Sequence, residues 1–299
     1  MNSPLASSAV ELSRQESYQQ SSKPADALLF YLKSSRPGFW LTSAWFYMLP
    51  LAQHHVFGSR GFWIGLFFVT FPLGILIYGW NDIMDAESDR HNSRKGTFLF
   101  GARGTPSQLR NLPRVIASAH LPFLVLFSVW QGPRMLLWYA ALVFATALYN
   151  LPGVGFKNHP LFDMLNQSGY LLVFYLSSAL NGVPQLPPST FLFGALFAMH
   201  SHLLGQIMDV VPDRLAGRRT TATVIGIIRT KYLLATLLLC ESALVFFVFH
   251  DWAIGGFLVM GSLWFIIDVA KLFRDHSYPI WLTRLFLIGW NIMAIGSAG

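Results

Sequence analysis

Residues 61–89 read GFWIGLFFVTFPLGILIYGWNDIMDAESD, and this stretch decides the class of fold. Residues 61–80 contain no charged side chain, and a run of that length can cross the hydrocarbon layer of a bilayer as a helix. Residues 82–89 then contain four acidic side chains, which are costly beside lipid and need cationic partners. The stretch therefore predicts a membrane helix that ends in a functional cluster.

The composition of the whole chain is typical of a membrane protein. Of its 299 residues, 54 % are hydrophobic and 12 % are charged, whereas soluble domains carry about 25 % charged residues. Apolar segments long enough to span a bilayer recur at about 39–57, 61–80, 113–130, 135–152, 164–182, 190–208, 232–250, 252–270 and 279–297. We therefore predict an all-α integral membrane protein, a bundle of about nine transmembrane helices.

The distribution of basic residues predicts the orientation of this bundle. If the N-terminus is cytoplasmic, eighteen of the 21 Lys and Arg residues lie on the cytoplasmic side. Arg60 and Arg134 lie on the opposite side, and Arg284 lies near the inner end of the last span. The asymmetry follows the positive-inside rule and favours a cytoplasmic N-terminus. It also explains the net charge of +7 as a basic face beside anionic lipid, with no need for nucleic acid.

The chain divides into a tail and one transmembrane domain. Residues 1–27 are polar and rich in Ser and Gln, which predicts a disordered N-terminal tail and not a signal peptide. Residues 28–299 form the domain. Its two halves, at about 34–182 and 190–297, each contain an apolar helix, spaced aspartates and a basic loop, which indicates a weak internal repeat.

The first acidic cluster follows the second predicted span. If the helix continues through it, Asn81, Asp85 and Asp89 recur at every fourth residue and share a face. Asp82 is three residues before Asp85 and lies beside the same face. Like charges placed so close together repel one another, so something cationic must offset them.

The second acidic cluster, Asp209 and Asp213, ends the sixth predicted span at the same membrane depth. Two groups of carboxylates without a His or Cys ligand set suit Mg²⁺, which prefers oxygen ligands and often shares them with substrate phosphates. Basic residues beside each cluster could hold phosphate oxygens: Arg90, Arg94 and Lys95 beside the first, and Arg214, Arg218 and Arg219 beside the second. A diphosphate head on a hydrocarbon tail, as in an isoprenyl diphosphate, fits such a site.

These motifs resemble those of a known family. NDIMDAESD (81–89) and DVVPDRLAGRRTTA (209–222) are similar to the two aspartate-rich motifs of the UbiA superfamily of intramembrane prenyltransferases. Between them, ALYNLPGVGFKNHPLFDML (147–165) resembles the family segment that contains a Tyr, a Pro and a basic residue. The resemblance covers about residues 34–297, and the second motif is most similar to the branch that includes carotenoid (lycopene) elongases.

The resemblance implies helices around a central cavity, with the two motifs facing each other beneath cytoplasmic loops. It implies Mg²⁺ ions that bridge to the diphosphate and are held by five residues: Asn81, Asp85, Asp89, Asp209 and Asp213. Asp82, Tyr149 and Lys157 are the implied catalytic residues: Asp82 orients the ligands or a basic partner, and Tyr149 lies near the reactive carbon C1. The predicted diphosphate contacts are Arg90, Arg94, Lys95, Lys157, Arg218 and Arg219.

The leading hypothesis is Mg²⁺-dependent ionisation of an isoprenyl diphosphate and transfer of the prenyl group to a lipophilic acceptor. The acceptor could be a carotenoid, a quinone precursor or another aromatic compound. A membrane terpene cyclase, which needs no acceptor, requires the same ionisation site and is the alternative. An ion-coupled transporter is a remote alternative, because the acidic residues gather at helix ends and not at the midplane of broken helices.

Three other polar residues lie in apolar segments. His200 and His202 are two residues apart and face different directions on a helix, so internal hydrogen bonds are expected and metal ligation is not. Asp268 is expected either to pair with Lys271, three residues later, or to line the cavity. The one cysteine, Cys240, excludes an intramolecular disulfide.

Overall fold

The computed structural model describes residues 24–87, 89, 92 and 94–296. Within these residues the fold is all-helical, since the only extended pairing is an isolated bridge between Thr97 and Gly101. The predicted tail, 1–27, lies almost wholly outside the described residues, and the first described helix begins at Pro24. The all-helical class predicted from the sequence is confirmed.

The helices are numbered here in chain order. They are α1 (Pro24–Ser34), α2 (Trp40–Met48), α3 (Arg60–Met84), α4 (Pro106–Gln131), α5 (Arg134–Asn150), α6 (Phe162–Leu165), α7 (Leu172–Asn181), α8 (Pro188–Leu215), α9 (Thr221–Ile225), α10 (Ile227–Phe249), α11 (Trp252–Lys271) and α12 (Ile280–Gly296). Short 3₁₀ turns extend some of them, at Pro37–Phe39, Leu49–Leu51, Phe156–Asn158 and Asn166–Leu171.

Five of the described helices are long and apolar enough to cross a membrane: α3, α4, α8, α10 and α11. The other predicted spans correspond to shorter or interrupted helical segments. The first of them is helical only over α2 and its flanking 3₁₀ turns, and a loop follows it. Several membrane-spanning helices are thus supported, whereas the number nine and the cytoplasmic N-terminus stay predictions.

Helix α3 changes its winding shortly before the first acidic cluster. Pro72 lies inside the helix and lacks an amide hydrogen, and the carbonyl of Pro72 accepts a hydrogen bond from His120 Nε2 at 2.7 Å. A π-helical turn, Ile75–Gly79, follows. A π-helical turn contains one extra residue, so it rotates the side chains that follow about the helix axis. The turn therefore sets the direction in which the last turn of α3, with Asn81 and Asp82, presents its side chains.

The core beneath the two clusters is aromatic. Trp45 and Phe46 of α2 are buried against Phe197 of α8, and the rings of Trp45 and Phe197 are 4.6 Å apart between centroids. Phe46 also stacks on Phe174 of α7 at 5.4 Å. Such ring pairs add to the stability that apolar burial already provides. The ring contacts hold α2, α7 and α8 together around a space, and the two acidic clusters lie at one end of that space.

Two buried pairs of ionisable side chains lie elsewhere in the second half of the chain. Lys231 of α10 contacts Asp268 of α11 at 2.6 Å, and both side chains are fully buried. The expected pairing of Asp268 with Lys271 is therefore wrong, because helix packing brings a cation from another helix to this carboxylate. His200 of α8 pairs with the buried Glu241 of α10, which confirms the internal hydrogen bond expected for that histidine.

Candidate functional site

The two acidic clusters line one cavity of about 280 Å³ between the ends of α3 and α8. All five predicted metal ligands are among its lining residues: Asn81, Asp85, Asp89, Asp209 and Asp213. Three predicted diphosphate contacts, Arg94, Lys95 and Arg218, line it as well, and so does Tyr149. Residues that are more than a hundred positions apart in the sequence therefore meet in one place.

Asp85 is the most heavily paired carboxylate of the site. Its Oδ1 contacts Lys157 Nζ at 2.5 Å and Arg218 Nη2 at 2.7 Å. Arg218 also reaches Asp213 at 3.4 Å, so one guanidinium bridges the two acidic clusters. Burial favours the neutral acid, but Arg218 and Lys157 outweigh it and hold the pKa of Asp85 below its ordinary value. Asp85 is consequently a carboxylate anion that faces the cavity.

Asp82 lies behind the cavity wall, in contact with two cations. Lys95 Nζ contacts Asp82 Oδ1 at 2.5 Å and Asp89 Oδ2 at 2.7 Å, and Arg36 reaches Asp82 Oδ1 at 3.4 Å. The guanidinium of Arg36 stacks over the ring of Tyr78, 4.5 Å from its centroid. Burial raises the pKa of Asp89 above its ordinary value in spite of Lys95. Asp82 thus has the basic partners that the sequence led us to expect.

The loop that follows the first cluster folds back over Asp82. Lys33 of α1 donates to the carbonyl of Gly96 at 3.1 Å, and the bridge between Thr97 and Gly101 closes the loop. Gly101 has a φ of 87°, and a Cβ atom there would lie 3.2 Å from Asp82 Oδ2. Only glycine adopts this conformation easily and permits so close an approach.

The second cluster is more open than the first. Asp209 is paired with Arg94, which comes from the loop after the first cluster, and Asn92 Nδ2 donates to Asp209 Oδ1 at 3.3 Å. The Asp209 side chain is nevertheless 38 % exposed. Burial lowers the pKa of Arg94 to about 10, so the guanidinium still carries its charge at neutral pH. The first loop therefore reaches across the cavity to the second cluster.

The remaining predicted contacts line an adjoining pocket, termed the outer opening, which shares Asp85 and Arg218 with the cavity. Lys157 and Arg219 line this opening together with Asp85 and Arg218. Lys157 is buried and bound to Asp85, whereas Arg219 is exposed. Arg90 lies outside the described residues.

A buried carboxylate that the sequence did not single out holds the second motif in place. Asp163 of α6 is fully buried, and its oxygens accept from the amide of Thr221 at 2.6 Å and from Gln206 Nε2 at 2.7 Å. The Thr221 hydroxyl donates to the same carboxylate at 2.5 Å. The threonines of RRTTA carried a sequence signal, but Asp163 lies 58 residues before Thr221, and no local spacing connects the two.

The wall away from the charges is aromatic and leads to a second chamber. Tyr149 of α5 lines both the cavity and a neighbouring chamber of about 150 Å³. Tyr78 and Tyr170, whose hydroxyl groups are 2.8 Å apart, also line both spaces. Phe46 and Phe197 line the cavity itself. The site is thus charged at one end and apolar to aromatic at the other.

The donor set suits a hard divalent cation. Its side chains offer carboxylate and amide oxygens from the ends of two helices, and all of them line one cavity. As the side chains stand, lysines and arginines neutralise the carboxylates, and among the described residues no three acidic, His or Cys groups converge on one point. Mg²⁺ would therefore replace cationic side chains as the partner of these oxygens.

Sequence comparison assigns the chain to a family. The sequence model of the UbiA prenyltransferase family matches residues 39–292, which include both acidic clusters. The chain belongs to the UbiA prenyltransferase family. Prenyl transfer within a membrane is the general reaction of this family, and the long apolar helices agree with a multi-pass membrane protein.

The relatives point to a branch of the UbiA family. The chain is 31 % identical over 271 residues to a lycopene elongase/hydratase from Corynebacterium glutamicum, covering 86 % of this chain and 93 % of the relative. It is 34 % identical over 270 residues to a lycopene elongase/hydratase from Haloferax volcanii, covering 85 % of each. The carotenoid-elongase resemblance seen in the sequence is thereby confirmed.

Solved structures of the UbiA fold match the whole bundle. A UbiA homologue from Archaeoglobus fulgidus bound to GPP and Mg²⁺ superposes with a TM-score of 0.68 and 17 % identity, covering 90 % of this chain and 96 % of that chain. The same homologue bound to DMAPP and Mg²⁺ gives a TM-score of 0.67. At this identity the likeness establishes the fold.

Proposed function

We propose that this UbiA-family protein ionises an isoprenyl diphosphate with the help of Mg²⁺ and transfers the prenyl group to a lipophilic acceptor of the carotenoid type. The single observation that carries the proposal is the shared cavity, where both acidic clusters and four cationic side chains face an aromatic wall. The names of the relatives favour lycopene as the acceptor.

The charged end of the cavity binds the diphosphate. Bound Mg²⁺ would neutralise the developing charge of the leaving group. Asn81, Asp85, Asp89, Asp209 and Asp213 are the residues that would hold it. Once their carboxylates have a metal as partner, Arg94, Lys95, Lys157 and Arg218 become available to phosphate oxygens. Arginine suits this exchange because its guanidinium fork binds carboxylate and phosphate oxygens alike, and the lysine ammonium attracts either anion as a point charge.

The aromatic end of the cavity protects the carbocation. Loss of diphosphate leaves an allylic cation that water would capture, and a cavity walled by rings excludes bulk water. The faces of Tyr149 and Phe197 can also stabilise a cation by cation–π attraction. In this scheme Tyr149 lies next to the reacting carbon, and Asp82 holds Lys95 and Arg36 in position behind the metal ligands.

The site opens on the side of the basic loops. Lys157, Arg218 and Arg219 line the opening, and the positive-inside rule places these loops in the cytoplasm. A soluble short-chain diphosphate would then enter from the cytoplasm, while the acceptor enters from the bilayer.

The test is an incubation of the purified protein in lipid nanodiscs with Mg²⁺ and prenyl diphosphates of five to twenty carbons. Each is added with and without lycopene, and products are identified by liquid chromatography and mass spectrometry. We expect an elongated carotenoid and free diphosphate only when lycopene and Mg²⁺ are both present. A cyclised terpene formed without an acceptor would instead establish the cyclase alternative, and no diphosphate release in any arm would refute both reactions.

A further inference from the structure

We propose that His202 is the catalytic base that removes a proton from the carbocation formed when the prenyl group joins its acceptor. This inference rests on the proposed function, and it names the residue that ends the reaction. His202 belongs to α8 and lines both the cavity and the second chamber. The sequence led us to expect an internal hydrogen bond for this residue, but its Nε2 has no hydrogen-bond partner among the residues that the structure describes.

Two other histidines of the fold differ from His202 in their position. His200, two residues earlier, is paired with Glu241, and His120 Nε2 binds the carbonyl of Pro72 at 2.7 Å, while His120 Nδ1 is buried without a partner among the described residues. Neither of these two histidines lines the cavity or the second chamber. A polar ring nitrogen buried without a partner costs folding free energy, so its retention needs an explanation. A nitrogen that must accept a proton during the reaction supplies one.

The position of His202 along α8 matches the place where the proton has to leave. His202, Gln206, Asp209 and Asp213 follow one another at three- and four-residue spacing and all line the same cavity. Seven residues separate His202 from Asp209, which corresponds to about 10 Å along the helix axis. A diphosphate and the first isoprene unit attached to it extend over a distance of the same order. The ring of Tyr149, proposed to lie beside the reacting carbon, is 5.8 Å from the ring of His202.

His202 also has the right chemistry, which its neighbours lack. Every other uncharged polar side chain described as lining the two chambers is a hydroxyl or an amide. Neither group is a useful base near neutral pH, whereas a neutral imidazole is. Gln206 is occupied, because it binds Asp163, and Tyr149 is a phenol and only weakly basic.

The step balances without a further reagent. The π electrons of an acceptor double bond attack C1 of the prenyl cation, and the positive charge moves to the next carbon of the acceptor. A C–H bond adjacent to that carbon then breaks. Its electron pair forms a new C=C bond, and the proton goes to a ring nitrogen of His202. The imidazolium returns the proton to solvent before the next turnover.

The test compares His202→Gln and His202→Asn with the wild type and with Ser201→Ala. Ser201 is the matched control, because its hydroxyl lines the same cavity, is likewise without a partner in the described part of the chain, and cannot act as a base. Each protein is incubated with Mg²⁺, dimethylallyl diphosphate and lycopene. Free diphosphate and elongated carotenoid are both quantified, and thermal stability is recorded for each variant.

We expect both His202 variants to release diphosphate within about threefold of the wild-type rate, because ionisation precedes the proton transfer. The yield of elongated carotenoid per diphosphate released should fall at least about tenfold, with prenyl alcohol or hydroxylated carotenoid in its place. Ser201→Ala should keep the wild-type ratio.

Two results would overturn the assignment. If the ratio of carotenoid to diphosphate is unchanged in both His202 variants, another group, such as the diphosphate itself, is the base. If a stably folded His202 variant loses diphosphate release as well, His202 acts in ionisation or substrate binding. If the wild-type protein itself releases no diphosphate, the proposed function is refuted and the assignment of His202 fails with it. If the wild type is active and only the predicted effect of the His202 variants is missing, the assignment of His202 alone is refuted.

Discussion

The Lys231–Asp268 pair and the charges around the cavity are both buried, but they differ in how completely their polar atoms are satisfied. Lys231 Nζ contacts Asp268 at 2.6 Å and donates to the carbonyls of Arg274 and His276 at 2.9 and 3.3 Å. Asp268 also accepts from Tyr278 at 2.7 Å and from the amide of Phe273 at 2.8 Å. This pair lines none of the cavities described here. Its bonding is that of a structural clamp between α10, α11 and the segment before α12.

The polar groups around the cavity are less completely satisfied. Asp82 Oδ2, behind the cavity wall, and His202 Nε2 are buried without a partner within the described ranges, and Asp209 is 38 % exposed. The cavity carboxylates are paired with lysine and arginine side chains that a diphosphate could bind instead. The difference teaches that burial of a charge alone does not mark a functional site in this fold. The proposed site is distinguished by buried charges that lie beside a cavity and have polar atoms without a partner.

The largest effect is expected at the structural clamp. Asp268→Asn leaves the fully buried Lys231 without a counter-charge, which costs about 3–5 kcal/mol of folding free energy. Thermal unfolding in detergent should move to a clearly lower temperature, while diphosphate release per folded molecule stays near wild type. Asp275→Asn, on an exposed carboxylate, is the control and should leave stability unchanged. Normal stability of Asp268→Asn would show that the clamp is dispensable.

The next largest effect is expected at the paired carboxylate of the cavity. Asp85→Asn removes a proposed metal ligand, so diphosphate release per folded molecule should fall about 100-fold. The unfolding temperature should fall as well, because buried Lys157 loses its counter-charge. Glu87→Gln is the matched control, since Glu87 is exposed two residues away at the outer opening. Equal activity of the two variants would contradict the assignment of Asp85.

A smaller effect, on KM for the prenyl diphosphate, is expected to differ between two adjacent arginines. Arg218 bridges Asp85 and Asp213, whereas Arg219 is exposed at the outer opening. Arg218→Ala should raise KM for the prenyl diphosphate about tenfold, and Arg219→Ala less than about threefold. Steady-state kinetics at saturating Mg²⁺ measure both. A larger loss at Arg219 would transfer the role in diphosphate binding to that residue.

The smallest effect is expected in the loop over Asp82. Gly101→Ala places a Cβ atom 3.2 Å from Asp82 Oδ2 at a φ of 87°, so the loop must shift by a few tenths of an ångström. We expect a loss of about two- to fivefold in diphosphate release, since a small misplacement of a supporting group weakens metal binding. Gly96→Ala, at another positive φ but with open space around its Cβ, controls for backbone strain. Equal loss in both variants would show that strain, and not proximity to Asp82, is responsible.

The sequence predicted the residues that line the polar cavity better than the residues that hold them in place. Regular spacing and the charge of the loops predicted that Asp85 and Asp213 lie near each other at the ends of two helices, and both line the cavity, because such patterns depend mainly on local helix geometry. Arg36 and Asp163 were missed, since their partners lie far away in the sequence and only tertiary packing brings them together. The same reason explains why Asp268 was paired with the wrong lysine.

The sequence likewise predicts some features of the helices and not others. The predicted span at 61–80 corresponds to α3, but the π-helical turn Ile75–Gly79 had no signal beyond Pro72. The predicted span at 164–182 is interrupted by the 3₁₀ turn Asn166–Leu171. An apolar run reports that a segment is buried or in lipid, but it does not report how the backbone winds within it.

The central claim is that both acidic clusters form one Mg²⁺-dependent diphosphate site, and a double-mutant cycle tests it most directly. Binding of geranyl diphosphate in the presence of Mg²⁺ is measured for the wild type, Asp85→Asn, Asp213→Asn and the double variant. If the clusters act as a unit, the double variant should bind within about threefold of the weaker single variant. Losses that multiply, or Mg²⁺-dependent binding that survives both substitutions, would contradict the claim.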